Sequence, residues 1–205
     1  YGMPRYLPLD EKHPLGPTNP YGRTKLVIEE MLKDLCRSDD GWRIGNLRYF
    51  NPVGAHESGL VGEDPLGVPS NLLPVVAQVA SGRRERLQIW GNDYDTPDGT
   101  GIRDFIHVVD LASGHLSALR HLQQPGLITV NLGTGNGSSV LDIVRTFASV
   151  SGRPIPYEIG ERRAGDVAAC YADPTFAKDV LGWASTRSLE QMCADHWRWQ
   201  LQNPN

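Results

Sequence analysis

A helix-forming segment followed at once by a strand is the feature that most restricts the fold of this chain. Over residues 21–37 apolar side chains recur at helical spacing, and Pro20 suits the first turn of a helix. After a break at 38–41, residues 42–50 have the pattern of a strand that ends sharply at Asn-Pro-Val-Gly. A loop, a helix and a strand in this order are typical of the end of an α/β layer, so we predict the α/β class.

The rest of the chain continues as short helices and strands separated by turns rich in glycine and proline. We expect helices at 71–81, 108–122, 140–151, 174–181 and 189–202, strands at 87–90, 102–107, 128–132 and 155–159, and a functional loop at 56–70. A domain boundary is expected near Asn51. It would separate the remnant of one α/β domain, residues 1–51, from a smaller mixed α/β module, residues 52–205.

The composition excludes several functional classes. The 205 residues carry a net charge of -4, which argues against nucleic acid and anionic membranes as partners. The three cysteines form no Cys-x-x-Cys pair and the six histidines have no metal-ligand spacing, so we expect a reducing compartment and no bound metal. No apolar run approaches the ~20 residues of a membrane span, and no signal peptide is recognisable. The chain begins with Tyr1 rather than methionine, so we expect that upstream sequence has been lost.

Tyr21 and Lys25 are four residues apart, so a helix places them on one face, one turn from each other. A cation beside a phenol favours the phenolate, and the pair can then act as a general acid and base. Taken alone, this spacing is more often a solvated helix face. The pair therefore predicts proton-transfer chemistry only in combination with the motifs of residues 48–173.

Three further segments carry groups that suit a ligand. The sequence Gly-Thr-Gly-Asn-Gly at 133–137 has the spacing GxGxG rather than GxGxxG, so we interpret it as a tight turn, with Ser138 or Ser139 capping the next helix. Arg103 and Arg163 are candidate clamps for an anion, although a surface salt bridge, for Arg103 with Asp104, is the alternative for either. Residues 48–54 place aromatic side chains and an amide at the end of a strand, a pattern that fits a core role and a ligand role equally well.

Together these motifs resemble the extended short-chain dehydrogenases/reductases, and among them the UDP-glucose 4-epimerase family. The resemblance rests on Tyr-x-x-x-Lys at 21–25 and on RYFNPVGAH (48–56), GEDPLGVPSNLLP (62–74), IWGNDYDTPDGTGIRDFIHVVDLA (89–112), NLGTGNGSSVLD (131–142) and RRAGDVAACYAD (162–173). Tyr1-Gly2 is similar to the end of the family's Ser-rich strand motif. The similar segments extend over essentially the whole chain.

The resemblance implies a fold, a cofactor and a set of site residues. Residues 1–51 would be the C-terminal part of a Rossmann-type NAD-binding domain, and 52–205 a domain that binds a UDP-hexose. Tyr21 and Lys25 would be catalytic and would contact NAD, together with Tyr49 and Phe50. The residues expected to contact the substrate are Asn51, Asn71, Leu72, Gln88, Ile89, Trp90, Arg103, Arg163, Asp166 and Cys170.

The implied activity is the interconversion of UDP-glucose and UDP-galactose in galactose metabolism, by transient oxidation at C4. Cys170 lies where some members carry tyrosine, so UDP-GlcNAc and UDP-GalNAc are expected as further substrates. A cytoplasmic homodimer is expected. The family's GxxGxxG loop would precede Tyr1, so the chain is expected to be incomplete and inactive alone. The alternatives are a UDP-glucuronate 4-epimerase or a 4,6-dehydratase of the same superfamily, or a truncated chain that only binds UDP-sugar or supports a dimer.

Overall fold

The computed structural model describes residues 1–67 and 69–203, and within them the chain has the predicted mixed α/β architecture. The helices are α1 (Pro20–Ser38), α2 (Leu72–Ala80), α3 (Val108–His121), α4 (Val140–Ser151), α5 (Thr175–Leu181) and α6 (Leu189–Gln202). The strands are β1 (Arg43–Tyr49), β2 (Asn51–Val53), β3 (Leu87–Trp90), β4 (Ile102–His107), β5 (Gly126–Leu132), β6 (Gly137–Ser139), β7 (Tyr157–Gly160) and β8 (Ala169–Cys170). Val68, in the loop expected at 56–70, lies outside the described residues.

β1 and β5 form a parallel pair that runs from Arg43 opposite Gly126 to Tyr49 opposite Leu132. α1 packs on this pair, and α3 and α5 pack on it as well. The buried core residues here are Ile106, Leu111, Ile128, Val130, Leu132, Ala177 and Trp183. Because the strands are parallel, Tyr49 and Leu132 end at the same edge, which is where ligands of open α/β sheets bind.

β4 is the centre of a second sheet. It pairs in parallel with β2 and β8 and antiparallel with β6. The register sets Asn51 opposite Phe105 and Cys170 opposite Arg103. Three of the residues predicted to bind substrate therefore lie on three adjacent strands, although they are far apart in the sequence.

A third parallel pair, β3 and β7, runs from Leu87 opposite Tyr157 to Trp90 opposite Gly160. A large apolar core lies between this pair and helices α2, α4 and α6. Leu73, Val76, Phe147 and Cys193 are fully buried in it. This core holds the Gln88–Trp90 strand in place beside the arginine-bearing segment that follows β7.

The predicted strand at 42–50 differs from the observed one at its end. The chain leaves β1 at Tyr49 and forms the separate strand β2, where the sequence indicated only a turn. Pro52 has no N–H to donate, but β2 lies at the edge of its sheet, where proline is tolerated. Strands β6 and β8 have three and two residues, too few to show a strand pattern in the sequence. They form because each of them pairs with β4.

The domain boundary near Asn51 stays a prediction. β1 precedes that boundary and β5 follows it, yet the two strands pair along their full length. α1 also packs against both strands. Any division of the chain must therefore keep β5 with residues 1–51.

Candidate active site

The sequence places Tyr21 and Lys25 on consecutive turns of α1. Asn19 caps this helix by accepting a hydrogen bond from the backbone N–H of Gly22 at 2.8 Å, so the first turn is well formed. Lys25 Nζ lies 5.1 Å from the centre of the Tyr21 ring. Tyr21 is 72% exposed, which leaves its hydroxyl open to a ligand. The pair can hold and release a proton at an exposed phenol beside an ammonium group.

The three residues at the end of β1 and just beyond it, 49–51, have different surroundings. The Tyr49 hydroxyl lies 2.6 Å from His115 Nε2, and His115 Nδ1 lies 2.8 Å from the Leu111 carbonyl. The carbonyl requires the proton on Nδ1, so Tyr49 is the donor to Nε2. The ring of Phe50 lies 6.4 Å from that of Tyr1, and Asn51 is exposed. Phe50 and Asn51 thus remain available at the ligand edge, while the Tyr49 hydroxyl is bound to α3.

Arg103 is held by the segment that leads into β8. Its Nη1 donates to the carbonyls of Ile102 and Val167, each at 2.8 Å, and its Nη2 lies 3.7 Å from Asp166 Oδ1. The neighbour Asp104, which the sequence offered as an ion-pair partner, points elsewhere. Arg103 thus keeps a partly exposed guanidinium that an anion can approach with Asp166 beside it.

Cys170 stands opposite Arg103 in the pairing of β4 with β8 and is half-buried. Burial raises the pKa of its thiol, although the charge of Arg103 partly opposes this. A neutral, small side chain at this position leaves space next to the guanidinium. Cys170 and Arg103 lie on paired strands, directly opposite each other. They are therefore close enough to contact the same ligand, as expected.

A second arginine meets the aromatic end of β3. The guanidinium carbon of Arg163 lies 4.8 Å from the centre of the Trp90 ring, and Trp90 is 40% exposed. Asp166 N–H donates to the Arg163 carbonyl at 3.2 Å, so a single turn carries Arg163 and the partner of Arg103. This arrangement presents a cation and a planar ring together, which suits an aromatic base next to a phosphate.

The remaining residues predicted to bind substrate have partners within the chain or lie against the core. The amide of Gln88, oriented with its nitrogen toward Glu158, donates to Oε1 at 2.6 Å and accepts from the Gly160 N–H at 2.9 Å. The side chain of Ile89 is buried in the core, so only its backbone could contact a ligand. Asn71 donates to Glu63 Oε1 at 2.6 Å. Leu72, the next residue, is half-buried against the core.

The glycine sequence at 133–137 forms the tight turn that was predicted. Its backbone N–H groups do not face outward: those of Thr134 and Gly135 donate to the carboxylate of Asp104, which is fully buried. A Cβ at Gly133 would lie 2.6 Å from Asp104 Oδ2, so the close approach requires glycine. Ser139 then caps α4 in a capping box with Asp142. The donors that a dinucleotide loop would offer to phosphate are thus occupied by Asp104.

Sequence reasoning missed a charged network that joins α1 to β1. Arg48 donates through Nε and Nη2 to both carboxylate oxygens of Glu29, at 2.8 and 2.6 Å. Its Nη1 also donates to the Tyr1 hydroxyl at 3.0 Å, and its guanidinium lies 4.9 Å from the centre of the Tyr1 ring. Tyr1 in turn donates to the Asn131 side chain. One signal was present in the sequence: Glu29 lies three residues after Leu26 and three before Leu32, so helical spacing puts a carboxylate among the apolar side chains of one face.

Apart from Asn71, Leu72, Gln88 and Ile89, the predicted residues thus form three groups. The first is Tyr21 with Lys25 on α1, and the second is the end of β1. The third joins Arg103, Asp166 and Cys170 around β4 and continues through Arg163 to Trp90. Within residues 1–67 and 69–203, no hydrogen bond or ion pair links Tyr21 or Lys25 to either arginine. A ligand that touches all three groups would have to bridge them.

Neither a metal cluster nor a membrane-spanning helix is found in the described part of the chain. No group of three or more His, Cys, Asp and Glu side chains there could hold a metal ion. No helix among the same residues has the length and apolar character needed to cross a bilayer.

Comparison with known proteins shows close similarity along the whole chain. A family model described as GDP-mannose 4,6 dehydratase matches residues 1–196. The UDP-glucose 4-epimerase of Homo sapiens is 60% identical over all of this chain and 60% of its own length. That of Bacillus subtilis is 57% identical over all of this chain and 61% of its own length. The chain therefore spans about three fifths of the curated relatives it matches.

A solved structure agrees closely with the fold. The UDP-glucose 4-epimerase of Bifidobacterium longum, crystallised in complex with NAD+ and UDP, superposes with a TM-score of 0.97 at 53% identity. The match covers all of this chain and 62% of that one. The arrangement of strands and helices in this chain is thus shared by a structure that contains a dinucleotide and a uridine nucleotide.

Proposed function

Since the chain belongs to the family described by the GDP-mannose 4,6 dehydratase model, one of the extended short-chain dehydrogenases/reductases, we propose that it carries the catalytic pair and the substrate site of an NAD-dependent UDP-glucose 4-epimerase. The supporting observation is that Lys25 Nζ lies 5.1 Å from the ring centre of an exposed Tyr21 on the first turns of α1. The relatives at 57 and 60% identity are named for this activity.

The described residues fit one side of the cofactor. Tyr21 and Lys25 are exposed at the start of α1, and Phe50 lies at the ligand edge beside Tyr1. The phosphate side is not supplied by the glycine turn after β5, because its N–H donors are bound to Asp104. NAD would therefore take its pyrophosphate contacts from residues that the relatives have outside the matched region. When bound, it would accept a hydride from C4 of the sugar and return it to the opposite face.

Within that reaction, the side chains of this chain would bind and orient the substrate and transfer a proton. Tyr21 would take the proton of the sugar 4-hydroxyl and later return it, with the ammonium group of Lys25 next to the phenol during the transfer. Because the sugar must turn over between the two steps, the nucleotide has to be held firmly and the sugar loosely. Arg103 and Arg163 would hold the diphosphate, and Trp90 would lie against the uracil ring. Asn51, Asn71, Leu72, Gln88, Ile89 and Asp166 would supply the remaining contacts.

The activity itself is tested in a polypeptide of the relatives' length that contains this chain, hereafter the full-length enzyme. It is expected to convert UDP-galactose to UDP-glucose with catalytic NAD. In D2O no deuterium should appear at C4, because the same hydride is returned. A 4,6-dehydratase would instead release a 4-keto-6-deoxy sugar nucleotide, which mass spectrometry distinguishes. Formation of that product, or no turnover of either UDP-hexose, would contradict the proposal.

Cys170 is proposed to set the breadth of substrates. An N-acetyl group at C2 needs space both before and after the sugar turns over, and the small half-buried thiol opposite Arg103 leaves such space. We expect the full-length enzyme to interconvert UDP-GlcNAc and UDP-GalNAc as well as the simple hexoses. In Cys170→Tyr the phenol ring should abolish the N-acetyl activity, since the steric penalty exceeds the ~1–3 kcal/mol of one methylene.

The measurement is kcat/KM for both substrate pairs in wild type and in Cys170→Tyr. Cys170→Ser is the matched control, because it keeps the volume small and should retain both activities. A wild type inactive on UDP-GlcNAc, or a tyrosine variant that loses both activities equally, would show that Cys170 does not select the substrate.

We further propose a cytoplasmic homodimer that acts on free UDP-sugars rather than on nucleic acid or membranes. The net charge of -4 and the three free cysteines support this environment. For the dimer, the support is the outer face of α1, where Ile28, Met31 and Leu35 are exposed.

A further inference from the structure

The face of α1 that packs on the sheet is not purely apolar. No residue of this helix is fully buried, and its half-buried residues are Gly22, Leu26, Glu29, Leu32, Lys33 and Cys36. Glu29 therefore stands in the middle of the stripe that faces β1. Apolar contacts that are only half-buried define the position of a helix weakly. We therefore expect the charged contact of Glu29 to contribute strongly to the position of α1 on β1.

The partner of Glu29 is itself immobilised. The side chains of Arg48 and Glu29 are only 12% and 17% exposed, and both carboxylate oxygens accept from the guanidinium. The third nitrogen of Arg48 donates to the Tyr1 hydroxyl at 3.0 Å. Although burial opposes it, the hydrogen bonds from Arg48 hold the pKa of Glu29 below its usual value. The carboxylate is thus ionised at neutral pH, and both of its oxygens are bound by the guanidinium.

This pair connects the two segments that carry the proposed chemistry. Glu29 lies one turn after Lys25 and two turns after Tyr21, which is about 6 and 12 Å along a helix at ~1.5 Å per residue. Arg48 directly precedes Tyr49 and Phe50 at the ligand edge of β1. A shift of α1 along β1 by a fraction of a turn would break two charge-assisted bonds and move Tyr21 by the same amount.

We propose that Arg48 and Glu29 are positioning residues for catalysis, which set the register of α1 on β1 and thereby the place of Tyr21 and Lys25 at the ligand edge. This inference rests on the proposed function. A planar guanidinium fork can fix both the height and the rotation of a helix, whereas an ammonium group acts as a point charge. Control of register is also the best-attested use of a buried ion pair, whose net contribution to stability is often small.

The test compares Glu29→Gln, Arg48→Lys and the exchanged pair Glu29→Arg/Arg48→Glu in the full-length enzyme. All are assayed with UDP-galactose at a temperature where circular dichroism shows each to be folded. Because small misplacements of reacting groups cost up to about 100-fold in rate, kcat is expected to fall about 10- to 100-fold in both single variants. KM should stay within about threefold, since neither residue is among those proposed to contact the substrate. The exchanged pair should recover part of kcat.

The matched control is Arg187→Met. Arg187 pairs with the buried Asp110 of α3, so its loss removes a buried ion pair that has no hydrogen bond to α1. This variant should be less stable but should keep kcat once folded. An unchanged kcat in folded Glu29→Gln, or an equal fall of kcat in Arg187→Met, would overturn the proposal.

A second readout does not depend on activity. Amide hydrogen exchange along α1 is expected to be at least about tenfold faster in Glu29→Gln than in wild type, and unchanged in Arg187→Met. If the wild type has no epimerase activity, the proposed function fails, and the catalytic part of this inference fails with it. Faster exchange confined to α1 would in that case still support the role of the pair in register, whereas unchanged exchange would overturn that role too.

Discussion

Replacing Tyr21 by phenylalanine in the full-length enzyme is expected to lower kcat by about 100-fold or more, in the range that general acid–base groups contribute. The ring remains and only the hydroxyl that moves the proton is lost, so KM for UDP-galactose should change little. Tyr21 is 72% exposed and its hydroxyl makes no hydrogen bond within the described residues, so the change should leave stability almost unaffected. Steady-state kinetics at saturating substrate measures the effect.

The matched control for this change is Tyr157→Phe. Tyr157 is also exposed, at 45%, but it begins β7, at the end of the strand away from Trp90. Loss of its hydroxyl should leave kcat and KM as in wild type. If Tyr21→Phe kept its turnover within about tenfold of wild type, a loss of only ~1.4 kcal/mol, the assignment of Tyr21 as the base would be wrong.

Replacing Asp104 by alanine is expected to destabilise the fold by about 3–5 kcal/mol, because several donors lose their acceptor at once and each donor left unpaired costs about 1–3 kcal/mol. The Asp104 carboxylate accepts from the backbone N–H groups of Thr134, Gly135 and Ala172, at 2.9–3.1 Å, and from the Thr134 hydroxyl at 2.6 Å. Alanine would leave these buried or half-buried donors unpaired, which is more costly than the loss of one exposed hydrogen bond.

Urea denaturation of the full-length enzyme, followed by tryptophan fluorescence, measures this change. Asp34→Ala is the control, because the side chains of Asp34 and Arg37 in their ion pair are 74% and 79% exposed. Pairs of that kind contribute about 0–1 kcal/mol, so the control should unfold almost as wild type does. A loss below about 1 kcal/mol in Asp104→Ala would mean that the turn after β5 does not depend on the carboxylate.

The effect of Asp104 also bears on the neighbouring site. Burial raises the pKa of Asp104, although the hydrogen bonds from Thr134, Ala172 and Gly135 oppose this. Asp104 lies next to Arg103 in sequence but points to the opposite side of β4. Asp104 accepts hydrogen bonds from the turn after β5, whereas Arg103 donates to the segment before β8. Loss of Asp104 should therefore reduce stability first and ligand binding only as a consequence.

Local patterns in the sequence were sufficient for much of the fold. The helical spacing after Pro20 and the strand after it predicted α1 and β1 within one or two residues. Serine capping before residue 140 was also predictable, because the Ser139–Asp142 capping box involves residues three apart. The spacing of Tyr21 and Lys25 places them on adjacent turns of any helix, and the structure has them so. All of these depend on contacts within about one helical turn.

The tertiary structure alone decided what lies across strands and between helix and sheet. Strand β4 sets Arg103 opposite Cys170 and gives Arg103 the partner Asp166, although Asp104 is its neighbour in sequence. Sequence reasoning did not single out Glu29, and only the packing of α1 on β1 identifies Arg48 as its partner. Alternation along a strand determines which face a side chain takes, whereas the partner strand and its register depend on residues far away in the chain.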